Sequence, residues 1–204
     1  MSLFKMEVPQ IPSNLLSDRF LVPPFSILDT KQGYWQDRKR NWINLGIKSE
    51  IGRDAKSYTT EHIAEAYGRK SMNGTSIFDP VVCEIAYKWF SKEKDKIIDP
   101  FAGGSVRGLV AGMLKRNYTG IDLSEKQIEA NRQQYEEINK KYSGIIKPNW
   151  INGDSLNCKD LANDRYNLLF TCPPYYDLEV YSDKENDLSN KGTYAEFIDI
   201  YICK

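Results

Sequence analysis

Two short stretches of this chain carry residue types that could do chemistry together. Ile97–Gly104 (IIDPFAGG) is an apolar run ending in an acid, a proline and a pair of glycines, and Leu168–Tyr175 (LLFTCPPY) is another ending in Thr-Cys-Pro-Pro-Tyr. Glycines where a strand turns into a helix let the backbone approach a ligand closely. A Pro-Pro pair has fixed φ angles and so holds a carbonyl in one direction. The first stretch reads as a cofactor cradle and the second as a pocket for a base amine. In an open parallel α/β sheet ligands gather outside the carboxyl ends of the strands, so both loops can face one site.

The first loop is neither the phosphate-binding GxxxxGK[ST] loop nor the GxGxxG of dinucleotide sites, which disfavours ATP and NAD. Asp122 closes the next apolar run, roughly 20 residues on, where an acid can accept hydrogen bonds from ribose hydroxyls. Asp154 closes the run after that, beside the expected place of an adenine ring. Three acidic strand ends around a glycine loop fit a nucleoside with a positive charge nearby, and S-adenosylmethionine, with its sulfonium and amino-acid tail, is such a ligand. Glycine-rich turns and acidic strand ends also occur in α/β proteins that bind nothing of the kind, so the first loop alone leaves both readings open.

The elements that must position these residues alternate from Pro80 onward. The spacing predicts helices over Val81–Phe90, Val106–Leu114, Glu125–Lys141 and Thr193–Cys203. Between them it predicts strands at Lys96–Ile98, Tyr118–Ile121, Trp150–Ile151 and Tyr166–Phe170. Strands alternating with helices imply an α/β fold with a doubly wound, mostly parallel sheet and right-handed crossovers. Residues 1–30 are proline-rich and read as an extended arm; helices are expected at Asp37–Leu45 and Thr60–Tyr67. The expected organisation is an N-terminal arm and helical segment over 1–70 and the α/β core over 71–204. Between Lys31 and Lys56 basic residues outnumber acidic ones, with Tyr34, Trp35 and Trp42 among them. That mixture suits a phosphate backbone with stacking aromatics, and equally a helix with a solvated basic face and a tryptophan core stripe.

At 204 residues and 41% hydrophobic content the chain can bury one substantial core. Lysines and arginines number 28, as do aspartates and glutamates, so net charge gives no argument for a polyanionic partner. No run approaches the roughly 18 apolar residues of a membrane span, and the start lacks a secretory core; a cytoplasmic protein without a membrane partner is expected. Cys83, Cys158, Cys172 and Cys203 have neither zinc-ligand spacing nor a disulfide framework, and no metal is expected. His62 is the only histidine, which excludes chemistry needing a histidine pair.

IIDPFAGG, Gly120–Arg132 (GIDLSEKQIEANR), Ile151–Asp154 (INGD) and TCPPYY, in that order, resemble the amino-methylating DNA methyltransferases that modify adenine N6 or cytosine N4. The stretch from Phe20 to Ile47 resembles the corresponding one in a phage and bacterial subgroup of that family. The resemblance implies a Rossmann-like core that binds S-adenosylmethionine, with DNA as substrate. It assigns the donor's methionine part to Asp99, Pro100, Phe101, Ala102, Gly103 and Gly104. The ribose falls to Asp122 and Leu123, the adenine to Asp154 and Ser155, and closure over the methionine tail to Ser76, Phe78 and Asp79. The catalytic tetrad is Cys172, Pro173, Pro174 and Tyr175.

The chemistry of that tetrad can be rebuilt. An exocyclic amine conjugated to its ring is a poor nucleophile, so two acceptors must draw its protons: the first side chain of the tetrad and the Pro173 carbonyl. Tyr175 would stack on a base extruded from the duplex at a cost of a few kcal/mol. Cys172 stands where the family has Asp, Asn or Ser, and neutral sulfur is a weak acceptor. Thr171 before it matches the Thr-Ser-Pro-Pro-Tyr form of cytosine N4 enzymes. A covalent route through Cys172 is less favoured, because the Pro-Pro-Tyr context serves an amine. The family's domain has seven strands, and this chain supplies four before it stops. An incomplete core is therefore expected: a fragment, the product of a split or interrupted gene, or a subunit completed by a homo-oligomer or a second chain. The rival expectations are an inactive donor-binding or nucleic-acid-binding module and an RNA base methyltransferase.

Overall fold

A computed structural model describes residues 29–48, 78–174, 185–190 and 192–203. Helix α1 spans Gly33–Asn44 and α2 spans Pro80–Phe90, followed by strand β1 at Lys96–Asp99. Then come α3 (Val106–Met113), β2 (Asn117–Asp122), α4 (Glu125–Lys141) and β3 (Asn149–Asn152). A 3-10 turn at Ser155–Asn157 leads into the short α5 (Cys158–Leu161), and β4 is Leu168–Leu169. A 3-10 turn at Leu188–Asn190 and helix α6 (Tyr194–Cys203) end the described chain.

Local chemistry accounts for the helix starts. Helix α2 opens on Pro80, whose missing N–H costs nothing at a first turn, and Asp79 caps it by accepting from the Val81 N–H at 2.9 Å. Helix α4 is capped by Ser124, which accepts from Gln127 N at 3.2 Å; Glu125 in its first turn and Lys140 and Lys141 in its last suit the helix dipole. Helix α1 starts before the expected Asp37, at Gly33, with no side-chain cap on Gln32. It ends at the positive-φ Gly46.

The described strands form one sheet of four, in the order β3-β2-β1-β4, every pair parallel. From β1 the chain winds outward through α3 and α4 to β3, then returns to lay β4 on the other side of β1. That reversal is the switch point at which such sheets bind ligands. The expected α/β, parallel architecture is the one observed. The fourth strand is shorter than the predicted Tyr166–Phe170: only Leu168 and Leu169 pair with β1, opposite Ile97 and Ile98.

Helix α3 is buried along its whole length. Its glycines allow this: a Cβ on Gly108 would sit 2.6 Å from Trp150 Cζ2, and one on Gly112 would sit 2.2 Å from the Ile146 carbonyl oxygen. The apolar core joins Ile97, Val106, Leu109, Tyr118, Ile128 and Trp150 to Trp35 and Trp42 of α1. Burial of both tryptophans decides the α1 question in favour of the core stripe. Neither indole is available for base stacking, and Arg38, Lys39 and Arg40 are paired with Glu84, Asp79 and Asp37. The predicted helix at Thr60–Tyr67 lies outside the described residues. Among the described residues no helix is long and apolar enough to cross a membrane.

Candidate functional site

Asp99 ends β1 and is wholly buried. Its Oδ2 accepts from Arg107 Nε at 2.5 Å and from the Tyr118 hydroxyl at 2.6 Å. Its Oδ1 accepts from the Thr171 hydroxyl at 2.7 Å and from Phe101 N at 3.3 Å. An ionised carboxylate offers about four acceptor positions, so these donors occupy it from within. The side chain therefore supports the loop from beneath.

The loop that follows is pinned at several points. Ala102 N donates to the Ile121 carbonyl at 2.8 Å, and Gly103 N donates to Asp122 Oδ2 at 2.8 Å. Gly103 has a φ of 50°, a left-handed conformation that suits glycine. Its carbonyl accepts from Asn131 Nδ2 of α4 at 2.8 Å. Arg107 Nη2 reaches back to the Phe101 and Ala102 carbonyls at 2.5 and 3.0 Å. Ala102 and Gly104 are buried, while Pro100, Phe101 and Gly103 are half-buried.

The neighbouring strand ends carry the other acids. Asp122 closes β2, half-buried, and its Oδ1 also accepts from Ser124 N at 2.8 Å; Leu123 is half-buried beside it. Asp154, after β3, accepts from Leu156 N at 2.9 Å and from Asn186 Nδ2 at 3.0 Å. Ser155 opens the 3-10 turn beyond it. Asp79 caps α2 and also accepts from Trp35 Nε1 and Lys39 Nζ, both at 3.2 Å. The Phe78 ring stands edge-on to Phe170 at 5.7 Å. Cys172, Pro173 and Pro174 follow β4, half-buried. Ser76 and Tyr175 lie outside the described residues.

Electrostatics follows burial. Desolvation alone would lower the Arg107 pKa, but the charge of Asp99 beside it raises it above its already high ordinary value. Burial, reinforced by Asp99, pushes the Tyr118 hydroxyl well up, so it stays a donor. Burial likewise pushes the Cys83 thiol well up, consistent with an inert core cysteine. Among the described residues no group of histidines, cysteines and acids could hold a metal ion.

Sequence reasoning missed Arg107 and Thr171 as parts of the site. The signal was present in both cases: a lone arginine in the otherwise apolar Val106–Met113, and a hydroxyl beside the Pro-Pro tetrad.

Neither a family model nor a curated protein matches the chain. Among solved structures it is similar to an S-adenosylmethionine-dependent methyltransferase from Agrobacterium tumefaciens, at 18% identity and TM-score 0.40 over 52% of this chain and 35% of that one. A protein-L-isoaspartate O-methyltransferase aligns at 15% identity and TM-score 0.40, over 67% of this chain and 44% of that one. MtNAS in complex with MTA and tNA aligns at 15% and 0.34, over 70% and 52%. The chain thus spans between 35% and 52% of the length of these structures. At such scores the likeness carries nothing about substrate or chemistry, and the reading of the site rests on its own residues.

Proposed function

We propose that this chain is the donor-binding and amine-pocket part of an S-adenosylmethionine-dependent methyltransferase acting on an exocyclic base amine of DNA. The observation that carries this reading is the joining of two loops at the sheet's switch point. The Asp99–Gly104 turn and Thr171–Pro174 leave adjacent strands and share hydrogen bonds through Thr171.

The donor set suits such a cofactor. Gly103 brings a side-chain-free backbone to the ligand side, while Asp122 is oriented by two backbone N–H groups and a carboxylate so held still suits ribose hydroxyls. Asp154 and Ser155 would serve the adenine, and Phe78 and Asp79 the amino-acid tail. S-adenosylmethionine supplies an electrophilic methyl group on its sulfonium. The chain's own task is to hold the amine in line and draw off its protons through the Pro173 carbonyl and Cys172. The weak acceptor strength of Cys172 favours a second reading, a donor-binding module that needs another chain for catalysis.

Calorimetric titration of the folded chain with S-adenosylmethionine tests the first step. Micromolar binding is expected, together with a loss of about tenfold or more in Gly103→Val, where a β-branched residue meets a positive φ. Absence of binding by a folded wild-type chain overturns the donor assignment. Labelled methyl transfer to DNA, with RNA beside it, then tests the substrate, and transfer to RNA alone overturns the choice of DNA. Donor binding with no transfer to either supports the second reading.

A further inference from the structure

Both loops rest on one buried carboxylate, and the contacts form a closed circuit. The Thr171 hydroxyl gives its single proton to Asp99 Oδ1 at 2.7 Å and accepts the Phe101 N–H at 3.3 Å, so it bridges the Pro-Pro loop to the glycine loop. Arg107 holds the other oxygen of Asp99 and the Phe101 and Ala102 carbonyls. Its guanidinium lies 4.7 Å from the centroid of the Phe78 ring. Phe78 packs edge-on against Phe170, the residue before Thr171, and Phe170 packs in turn against Tyr87 at 5.3 Å.

From this circuit we infer that Thr171 and Arg107 are positioning residues that make the cofactor loop and the Pro-Pro loop a single unit, so that donor affinity depends on a hydroxyl in the acceptor loop. The inference rests on the reading above of which loop holds the donor. Its physical basis is the environment of Asp99. Moving the Pro-Pro loop would withdraw a hydrogen bond from a charge that water cannot reach, and such a loss is most costly in a low-dielectric interior. The loops therefore keep their relation whether or not a ligand is present. Cys172 and the Pro173 carbonyl are set by the same lock, because they follow Thr171 directly.

Thr171→Val keeps the side-chain shape and removes both hydrogen bonds, whereas Thr171→Ser keeps the hydroxyl. Thr171→Ala replaces the valine variant if that one does not fold. Amide hydrogen exchange in the ligand-free 204-residue chain is measured first. Exchange at Ala102 and Gly103 should rise about tenfold in Thr171→Val, with the amides of β2 and β3 unchanged and Thr171→Ser close to wild type. Wild-type exchange at Ala102 and Gly103 in the valine variant overturns the coupling. Titration of the same samples with S-adenosylmethionine should show about tenfold weaker binding for the valine variant and recovery for the serine one. Equal affinities also overturn the inference. If the wild type takes up no donor, the proposed function falls and the exchange data decide the coupling by themselves.

Discussion

Asp99 and Glu84 are both buried acids paired with an arginine, Arg107 in one case and Arg38 in the other. Around Asp99 the donors come from β2, α3 and both site loops, and the ion pair is shut off from solvent. Around Glu84 they come from helix faces: Arg38 at 2.6 and 2.7 Å and the Trp42 indole at 2.7 Å from α1, and Lys88 at 2.8 Å one turn along α2. The Arg38 side chain keeps 17% of its exposure and that of Lys88 38%, against 6% for Arg107. One cluster sets the relation of two loops and the other docks a helix. The same pair of residue types does different work according to which elements supply the donors.

Removing each arginine should separate the two clusters most clearly. Arg107→Met leaves the fully buried Asp99 with its neutral donors but no counter-charge, and is expected to cost about 3–5 kcal/mol. Arg38→Met leaves Glu84 two donors and some water, for a loss of about 1–2 kcal/mol. Denaturant unfolding measures both, and equal losses would erase the distinction.

Gly120→Ala probes the Asp99 side without touching a charge. Its Cβ would meet Tyr118 Cε1 at 2.7 Å, and the Tyr118 hydroxyl and Ala102 Cβ at 2.8 Å, so about 1–3 kcal/mol of overpacking is expected. On α1, by contrast, a Cβ on Gly33 meets nothing within 4 Å. Gly33→Ala should leave the unfolding midpoint at or above the wild-type value.

The Glu84 cluster should reveal itself through pH. Burial pushes this carboxyl up, but the hydrogen bond and charge of Arg38, followed by Lys88, outweigh it and leave the group below its ordinary value of 4.5. Its stabilisation is therefore complete above about pH 4.5 and lost as pH falls through the lower folded value. Glu84→Gln should cost about 1–2 kcal/mol at pH 7. In thermal melts the gap from wild type should narrow progressively as pH falls below about 4.5; a gap that stays constant however far the pH is lowered would contradict the assignment. The smallest effect belongs to Lys39→Ala, whose partly exposed pair with Asp79 is worth below about 1 kcal/mol and should weaken further in high salt.

The alternation of elements was legible because β1, β2 and β3 are short runs closed by an acid or followed by a glycine, and α2 and α4 have a cap or a proline in front. The loop after β1 and the acids at Asp122 and Asp154 could be read for the same reason. What escaped was partnership. Arg107 and Glu84 each stand alone among apolar neighbours in a helix, a sign of a buried charge, but the sequence does not say that their partners are Asp99 and Arg38. The spacing of Trp35 and Trp42 matched two helical turns, yet only packing distinguishes a core stripe from a stacking surface. The predicted fourth strand ran too long because Tyr166 and Phe170 extend the apolar run on either side, whereas only Leu168 and Leu169 pair, opposite Ile97 and Ile98.

The sheet order also bears on how the site is assembled. Strand β1 meets β2 after a single helical crossover, whereas it meets β4 only after β2, α4 and β3 have been laid down. Closing a longer chain loop costs more entropy and is slower, so the β1-α3-β2 unit is expected to form early and the β1–β4 pairing late. The hydroxyl of Thr171 arrives with β4. Asp99 thus waits, already gripped by Arg107 and Tyr118, for a donor delivered with β4, and maturation of the site becomes a late event of folding that stopped-flow refolding can time.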